Sequence, residues 1–249
     1  MCEKRKPTNS PHASRKALQE SIQGSRHARK FIARFVEALL QVRTSNLVKI
    51  AAATRSSAEA DSVYRQTQRF LKNENRISID YLKLLKIKGK LKILIDRTEW
   101  KFGETWINIL TLSVAYKNVA IPILWEVAGS KGKATAARHT GLLKRFVAEF
   151  GVRQIERVYA DREFGSYELF AYLIEQGIDF HIRLKTSHKS ADKSFLKRWK
   201  QVQERVKLRG KVPLEVFGLE VFVSCVKYQK GGKTEYLIVA SRRSNKYLI

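Results

Sequence analysis

The chain has 249 residues, 44% of them hydrophobic and 10% aromatic, enough apolar material to pack one large domain or two smaller ones. That content excludes a disordered polyelectrolyte. Its 49 Lys and Arg against 23 Asp and Glu leave a formal charge of +26, so a compact body would repel itself without a polyanion nearby. Nucleic acid is therefore the leading partner, ahead of an anionic membrane, an acidic protein, or a purely structural role among nucleic acids.

The two cysteines, Cys2 and Cys225, show neither C-x-x-C spacing nor a zinc signature, which fits a reducing compartment. The basic N-terminus is not followed by the apolar stretch of a secretory signal. No apolar run approaches the roughly 18 residues that would span a bilayer. A cytoplasmic protein with no membrane partner is the expectation. No local signature supports a serine or cysteine nucleophile, and no small-molecule substrate is expected.

In chain order, residues 1–24 read as a flexible basic arm and residues 25–75 as a helical domain. Phe31, Ile32, Phe35, Val36, Leu39 and Val42 share one helical face over about 26–42. Thr44 or Ser45 can cap a second helix that carries Leu47, Ile50, Ala51 and Thr54 on one side. Ser56-x-x-Glu59 has the form of a capping box and opens a third helix. Its inward set is Ala60, Val63, Thr67, Phe70 and Leu71, and Arg65, Gln66, Gln68, Arg69 and Lys72 lie outward. A short turn between two helices, the second presenting Arg and Gln, suits a helix-turn-helix that reads base edges in the major groove. A plain three-helix bundle with a solvated basic face is the alternative.

Residues 73–90 form a basic connector, after which strands alternate with helices. Leu91–Ile95, Trp106–Tyr116 and Val119–Glu126 are predicted strands, with Pro122 implying a bulge or an edge. A loop over Gly129–Lys133 leads to a helix over Thr135–Phe150 and a strand over Val158–Ala160. Next come a helix over Tyr167–Gln176, stopped by Gly177, and a strand over Asp179–Leu184. This order predicts an α/β layer with antiparallel and parallel parts. A basic segment, Lys185–Lys211, precedes strands over Leu214–Phe217, Leu219–Tyr228 and Glu235–Ser241, the last two joined by the hairpin signal QKGGK.

Asp96 and Asp161 each follow an apolar strand and precede an arginine, in IDRT and ADRE. If those strands are neighbours, their spacing of roughly 4.8 Å brings both carboxylates within reach of shared cations. Such carboxylates suit Mg²⁺, which keeps water and phosphate oxygens in its shell. Two ions about 3.5–4 Å apart could activate water and hold both oxygens of a phosphodiester displacement. The other reading is that each aspartate pairs with a nearby arginine or caps the next segment. Trp106 and Trp125 are expected in core packing, and His139 and His181 in core or surface roles.

The run IDRTEWKFGETWINILTLSVAYKNVAIPILWEVAGSKG, followed by VYADREFGSYELFAYLIEQGIDFHIRLK, resembles the catalytic core of DDE transposases of the insertion-sequence-four family. The features that carry it are Asp96, Arg97, Thr98, Trp100, Gly103, Asn108, Leu110, Pro122, Trp125, Asp161, Arg162, Phe164, Arg183 and Lys185. The region 26–72 is similar to the family's N-terminal DNA-binding part. The resemblance implies a ribonuclease-H-like core over 76–185, with Asp96 and Asp161 as catalytic ligands of two Mg²⁺ ions, Mn²⁺ being the alternative metal. It further implies a β-rich insertion within 186–249 and a homodimer on double-stranded DNA. Arg97, Arg162, Arg183 and Lys185 stand inside its motifs and are expected to contact DNA.

The family places a third carboxylate, a glutamate on a helix after that insertion, within a Tyr…Arg…Glu…Lys signature. ASRRSNKYLI ends this sequence instead, and Glu99, Glu104, Glu126, Glu163, Glu204, Glu215 and Glu220 do not match that position. The expectation is a truncated transposase that binds element ends and is weakly active or inactive alone. The alternative is a non-catalytic DNA-binding remnant that occupies those ends.

Overall fold

The structure is a computed structural model that describes residues 16, 18–72, 78–79, 87–128, 136–185 and 211–242. The chain divides into two compact units, Met1–Lys88 and Gly89–Ile249. The loop expected over Gly129–Lys133 and the basic segment after Lys185, with Glu204, lie outside the described residues.

The first unit contains three helices, α1 (Arg26–Val42), α2 (Leu47–Ala53) and α3 (Ala60–Lys72), and a pair of short antiparallel strands, β1 (Ile22–Gln23) and β2 (Ser78–Ile79). The expected arm therefore ends in structure, with Ile22 and Ser21 buried. Ser25 caps α1 by accepting from the Ala28 N–H at 3.2 Å, and Arg43, with φ of 52°, ends it by donating to the Leu39 carbonyl at 2.9 Å. Asn46, rather than Thr44 or Ser45, caps α2, accepting from the Val48 and Lys49 N–H groups at 3.0 and 3.3 Å. Thr44 supports that cap by accepting from the Asn46 N–H at 3.3 Å.

The capping box expected from Ser56 and Glu59 does not form. Ser56 accepts from the Ala58 N–H in a local turn, and the Glu59 carbonyl takes the first bond of α3, from the Val63 N–H. A serine side chain competes readily for a backbone donor two residues on, which is why the motif misleads here. The core of the unit is Ile32, Ala33, Ala38, Ile50, Ala51, Val63 and Thr67, with the Phe31 and Phe70 rings 5.0 Å apart. Leu71, expected inward, is exposed.

The second unit is built on one eight-stranded sheet. Its strands are β3 (Leu91–Phe102), β4 (Thr105–Tyr116), β5 (Val119–Ala128), β6 (Ile155–Ala160), β7 (Phe180–Arg183), β8 (Val212–Val216), β9 (Leu219–Lys230) and β10 (Lys233–Ser241). The order across it is β5-β4-β3-β6-β7-β10-β9-β8. β3, β4 and β5 form an antiparallel meander, and β6 and β7 run parallel to β3. That five-strand arrangement is ribonuclease-H-like. The β-rich segment near the C-terminus is β8–β10, and it extends the same sheet by pairing β10 antiparallel to β7.

Two helices, α4 (Ala136–Phe150) and α5 (Tyr167–Glu175), pack on each other and cover one face. Strand alternation sends Ile93, Ile95, Leu110, Leu112, Val158 and Ile182 toward that face, where Leu142, Leu143, Phe146, Leu169, Phe170 and Leu173 meet them, all fully or nearly fully buried. Each such aliphatic or aromatic side chain contributes about 1.5–3 kcal/mol by leaving water. Gly177, with φ of 68°, ends α5 in a left-handed turn, and its N–H donates to the Ile174 carbonyl at 3.0 Å.

Two local devices shape the sheet. Pro122 sits on the edge strand β5 at a register shift, where Leu112 pairs with Leu124 and Ser113 with Pro122. Ile123 is the extra residue. β9 and β10 close through Gly231 and Gly232, both at positive φ, the backbone a tight two-residue hairpin requires.

Candidate active site

β3 does not stop at Ile95. It continues through Asp96 to Phe102, because β4 pairs with it residue for residue from Val114 opposite Ile93 to Thr105 opposite Phe102. What does stop at Ile95 is the ladder to β6, whose last pair is Ile95 with Ala160. Asp96 and Asp161 are the next residues on each side, at the point where two parallel neighbours part. Parallel strands lie about 4.8 Å apart, so both carboxylates start from adjacent positions on one edge of the ladder.

Alternation places Asp96 on the face away from α4 and α5. Register extends a row from it across that open face: Trp125, Thr111, Asp96, then Asp161, Arg183, Val239 and Ser224. Both aspartates are exposed. A cleft of about 660 Å³ lies along this face, with Asp96, Asp161 and Arg183 toward one side and His181 and Lys211 beyond them.

Each carboxylate has one defined partner. Asp96 Oδ1 accepts from the Arg97 N–H at 2.8 Å. Arg183 Nη1 lies 3.0 Å from Asp161 Oδ1, with the two side chains 42% and 47% exposed. The pairing reading of the sequence is thus realised for Asp161, but with an arginine on the next strand rather than with Arg162. Neither aspartate is sealed by its partner, and both keep solvent-facing oxygens. Hard oxygen donors, one within β3 and one directly after the neighbouring β6, both open to water, fit a Mg²⁺ or Mn²⁺ ion that retains water and phosphate ligands. Among the described residues, no group of three or more His, Cys, Asp or Glu is placed to hold a metal.

The other expected contact residues separate by location. Arg65, Gln66, Gln68, Arg69 and Lys72 are all exposed along α3. Gln68 Nε2 donates to Tyr64 at 3.0 Å, and Arg69 Nε to the Arg65 carbonyl at 3.3 Å. Arg162 is exposed beside Asp161, and Lys185 is half-buried past the end of β7. Arg97 turns to the helix-covered side, where Nη2 lies 3.0 Å from Glu163 Oε2 and the two side chains are only 16% and 24% exposed. Its guanidinium faces a carboxylate inside the protein, not the open face.

Three features of the site escaped sequence reasoning. His181 lines the cleft; burial first, then the charges of Arg157 and Lys211, push its pKa down to about 4, so the imidazole is neutral at neutral pH. Its ring stands edge-on to Tyr159, 5.4 Å away. Lys211 donates to Ser241 Oγ at 3.2 Å, and burial followed by Arg157 lowers its pKa too. The signal for His181 was present, since a residue two before Arg183 on a strand must share its face. Glu163 is the third, and nothing in IDRT or ADRE signals its pairing with Arg97, a tertiary contact across 66 residues.

Trp125 departs from its expected core position. It is 50% exposed, as Trp100 is at 58%, because both point to the open face of the β3–β5 meander. His139 is buried on α4, one of its two expected settings, its ring 4.6 Å from the Phe164 ring and tilted to it, with Nδ1 lacking a hydrogen-bond partner.

Residues 87–236 match the family described as Transposase DDE domain. No curated protein matches the chain significantly. Among solved structures, the HTLV-2 integrase catalytic core domain in complex with magnesium aligns at 11% identity over 48% of this chain and 71% of that one, with a TM-score of 0.30. Ciona intestinalis endonuclease V, in complex with a 24mer DNA containing an inosine, aligns at 9% identity over 61% of this chain and 72% of that one, with a TM-score of 0.35. Endonuclease V from Bacillus subtilis aligns at 10% identity over 74% and 77%, with a TM-score of 0.31.

Proposed function

The chain belongs to the transposase DDE domain family, and from that premise we propose that it is an insertion-sequence transposase of the insertion-sequence-four type that binds element ends and cuts and joins DNA. The observation that carries the reading is the adjacency of Asp96 and Asp161 at the end of the β3–β6 ladder, on the open face of the sheet. A carboxylate within β3 and one directly after β6 hold their separation better than residues far out on loops would.

Asp96 and Asp161 would hold a pair of divalent cations, Mg²⁺ or Mn²⁺. Bound there, such ions lower the pKa of water and stabilise the attacking and leaving oxygens of an in-line phosphodiester displacement. The protein's own part is to present the carboxylates, admit the backbone along the cleft and neutralise its phosphates. Arg183 lies against Asp161 and Arg162 follows it in sequence, Lys185 stands two residues beyond Arg183, and Lys211 lines the same cleft; these are the cations for that task. Hydrolysis frees a 3′-hydroxyl, which then attacks a second phosphodiester, so one phosphodiester bond is exchanged for another without a covalent protein intermediate.

In the first unit, α3 presents Arg65, Gln66, Gln68, Arg69 and Lys72 on one solvated surface, suited to a major groove. Arg there supplies two donors for a base edge, Gln one donor and one acceptor, and Lys72 a phosphate contact. Arg97 is left out of the DNA-contacting set because of its ion pair with Glu163. Two copies acting together on two ends complete the reading.

The test is Mn²⁺-dependent nicking of a supercoiled plasmid carrying the DNA that flanks the protein's own reading frame. Weak nicking by the wild-type chain that Asp96→Asn abolishes, with DNA affinity retained, is the expected result. Equal nicking by Asp96→Asn contradicts the assignment. DNA binding without nicking or Mn²⁺ binding would leave the non-catalytic, end-occupying protein as the better description.

A further inference from the structure

The two aspartates lie on the open face, yet the residues that follow them turn the other way. Arg97 comes directly after Asp96, so alternation carries its side chain beneath the sheet. Glu163 comes two residues after Asp161, in a turn closed by the Phe164 N–H donating to the Asp161 carbonyl at 3.0 Å. Under the sheet these two side chains meet. Arg97 Nη2 lies 3.0 Å from Glu163 Oε2, and Nε donates to the same oxygen at 3.2 Å.

A third strand joins them. Arg97 Nη1 donates to Asn108 Oδ1 at 3.3 Å, and the buried Asn108 donates from Nδ2 to Glu99 at 3.5 Å. His139 of α4 packs its ring, tilted, against that of Phe164, the residue that follows Glu163. With the Arg97 and Glu163 side chains 16% and 24% exposed, the charges are largely withdrawn from water, where one left without the other is costly.

The position of this pair is what gives it a role. Hydrogen bonding between β3 and β6 ends at Ile95 and Ala160, one residue short of the aspartates. Beyond that point β3 follows β4 into the hairpin, and the chain after β6 turns toward α5. Arg97 and Glu163 tie the two departing segments together immediately past the ladder. Arg97 also holds the Asp96 carboxylate directly, through its backbone N–H at 2.8 Å from Oδ1.

We propose that the Arg97–Glu163 ion pair is a positioning clamp that sets, from the covered side of the sheet, the separation and orientation of the Asp96 and Asp161 carboxylates on the open side. This rests on the reading of those aspartates as ligands of divalent cations. Neither clamp residue touches the cation or the DNA. The paired Asp-Arg motifs then have a division of labour: the first arginine fastens the two motifs together, and the second, Arg162, stays exposed.

Outer residues that orient ligands typically change metal affinity by about 10–100-fold when lost. The experiment is Mn²⁺ titration calorimetry on the full chain, with near-ultraviolet circular dichroism as the check on folding. Glu163→Gln keeps the shape and removes the charge, and its Mn²⁺ affinity should fall by about 10-fold or more. The charge-exchanged Arg97→Glu, Glu163→Arg double variant should recover most of that loss, which a residue needed only for general packing would not allow.

Natively folded Glu163→Gln with wild-type Mn²⁺ affinity overturns the clamp, as does a folded double variant that binds no better than the single one. Should Glu163→Gln lose its native spectrum, Arg97→Lys is read instead, with weakened affinity as the supporting result and wild-type affinity as the overturning one. A wild-type chain that binds no Mn²⁺ overturns the cation reading and the clamp with it. Wild-type binding with unchanged variants overturns the clamp alone.

Discussion

Replacing Arg183 with glutamine should strengthen binding of a divalent cation, although the residue stands in the candidate site. Arg183 Nη1 lies 3.0 Å from Asp161 Oδ1, so a cation that uses this oxygen has to displace the guanidinium. At that distance two unit charges in water attract by about 1.4 kcal/mol. The side chains are 42% and 47% exposed, so side-chain entropy and screening reduce the net value to about 0–1 kcal/mol. Releasing the carboxylate should therefore tighten Mn²⁺ binding by up to about fivefold, and loss of a positive charge beside the site acts in the same direction. Calorimetric titration of wild type and Arg183→Gln, repeated at low and high salt, measures it. The difference should shrink as salt rises. Unchanged or weaker binding by the variant at low salt would refute the competition between Arg183 and the cation.

Two further outcomes follow from the same geometry. Changing Lys72 to alanine should flatten the slope of log affinity against log salt by about 0.9, the contribution of one phosphate contact on duplex DNA; fluorescence anisotropy across a salt series reads it, and an unchanged slope takes Lys72 off the DNA backbone. His181 is held near pKa 4 in the fold against 6.5 unperturbed, so the unfolded chain binds the extra proton first and the stability tied to neutral His181 is complete above pH 6.5 and lost as pH falls toward 4. Melting temperatures over that window should fall less steeply for His181→Gln than for wild type, and parallel curves would show that the imidazole is not held neutral.

Where apolar periodicity was strong, the sequence was readable almost to the residue. The expected helix over Tyr167–Gln176 is α5 at Tyr167–Glu175, and the strand expected over Leu219–Tyr228 is β9 at Leu219–Lys230. Both have two-sided packing or a clear glycine stop, so local chemistry and tertiary contacts agree. Pro122 announced its bulge for a similar reason, because proline cannot donate to a ladder.

The end of β3 was harder to see. DRTEWKF carries four charged residues in seven and does not look like a strand, yet it pairs fully with β4. Past Ile95 this stretch has lost its β6 neighbour, and the inward position 97 holds an ion-paired arginine where an aliphatic residue would keep the pattern. The same substitution of charge for hydrocarbon hid the clamp. Sequence could place Asp96 and Asp161 as a pair, through their common setting after an apolar strand. It could not show that Arg97 and Arg162, alike in sequence, turn to opposite environments, since Arg97 continues a strand whose alternation turns it inward and Arg162 lies in the turn after β6. Asn46 displaced Thr44 and Ser45 as a cap on a difference of one or two positions, which propensity does not resolve.

The most direct measurement is anomalous diffraction at the manganese edge from crystals of the full chain grown with Mn²⁺. The account predicts anomalous density within coordination distance of both Asp96 and Asp161, with Arg183 moved off Oδ1. Manganese bound elsewhere, or the two carboxylates left as they are with Arg183 still in place at saturating Mn²⁺, would contradict it.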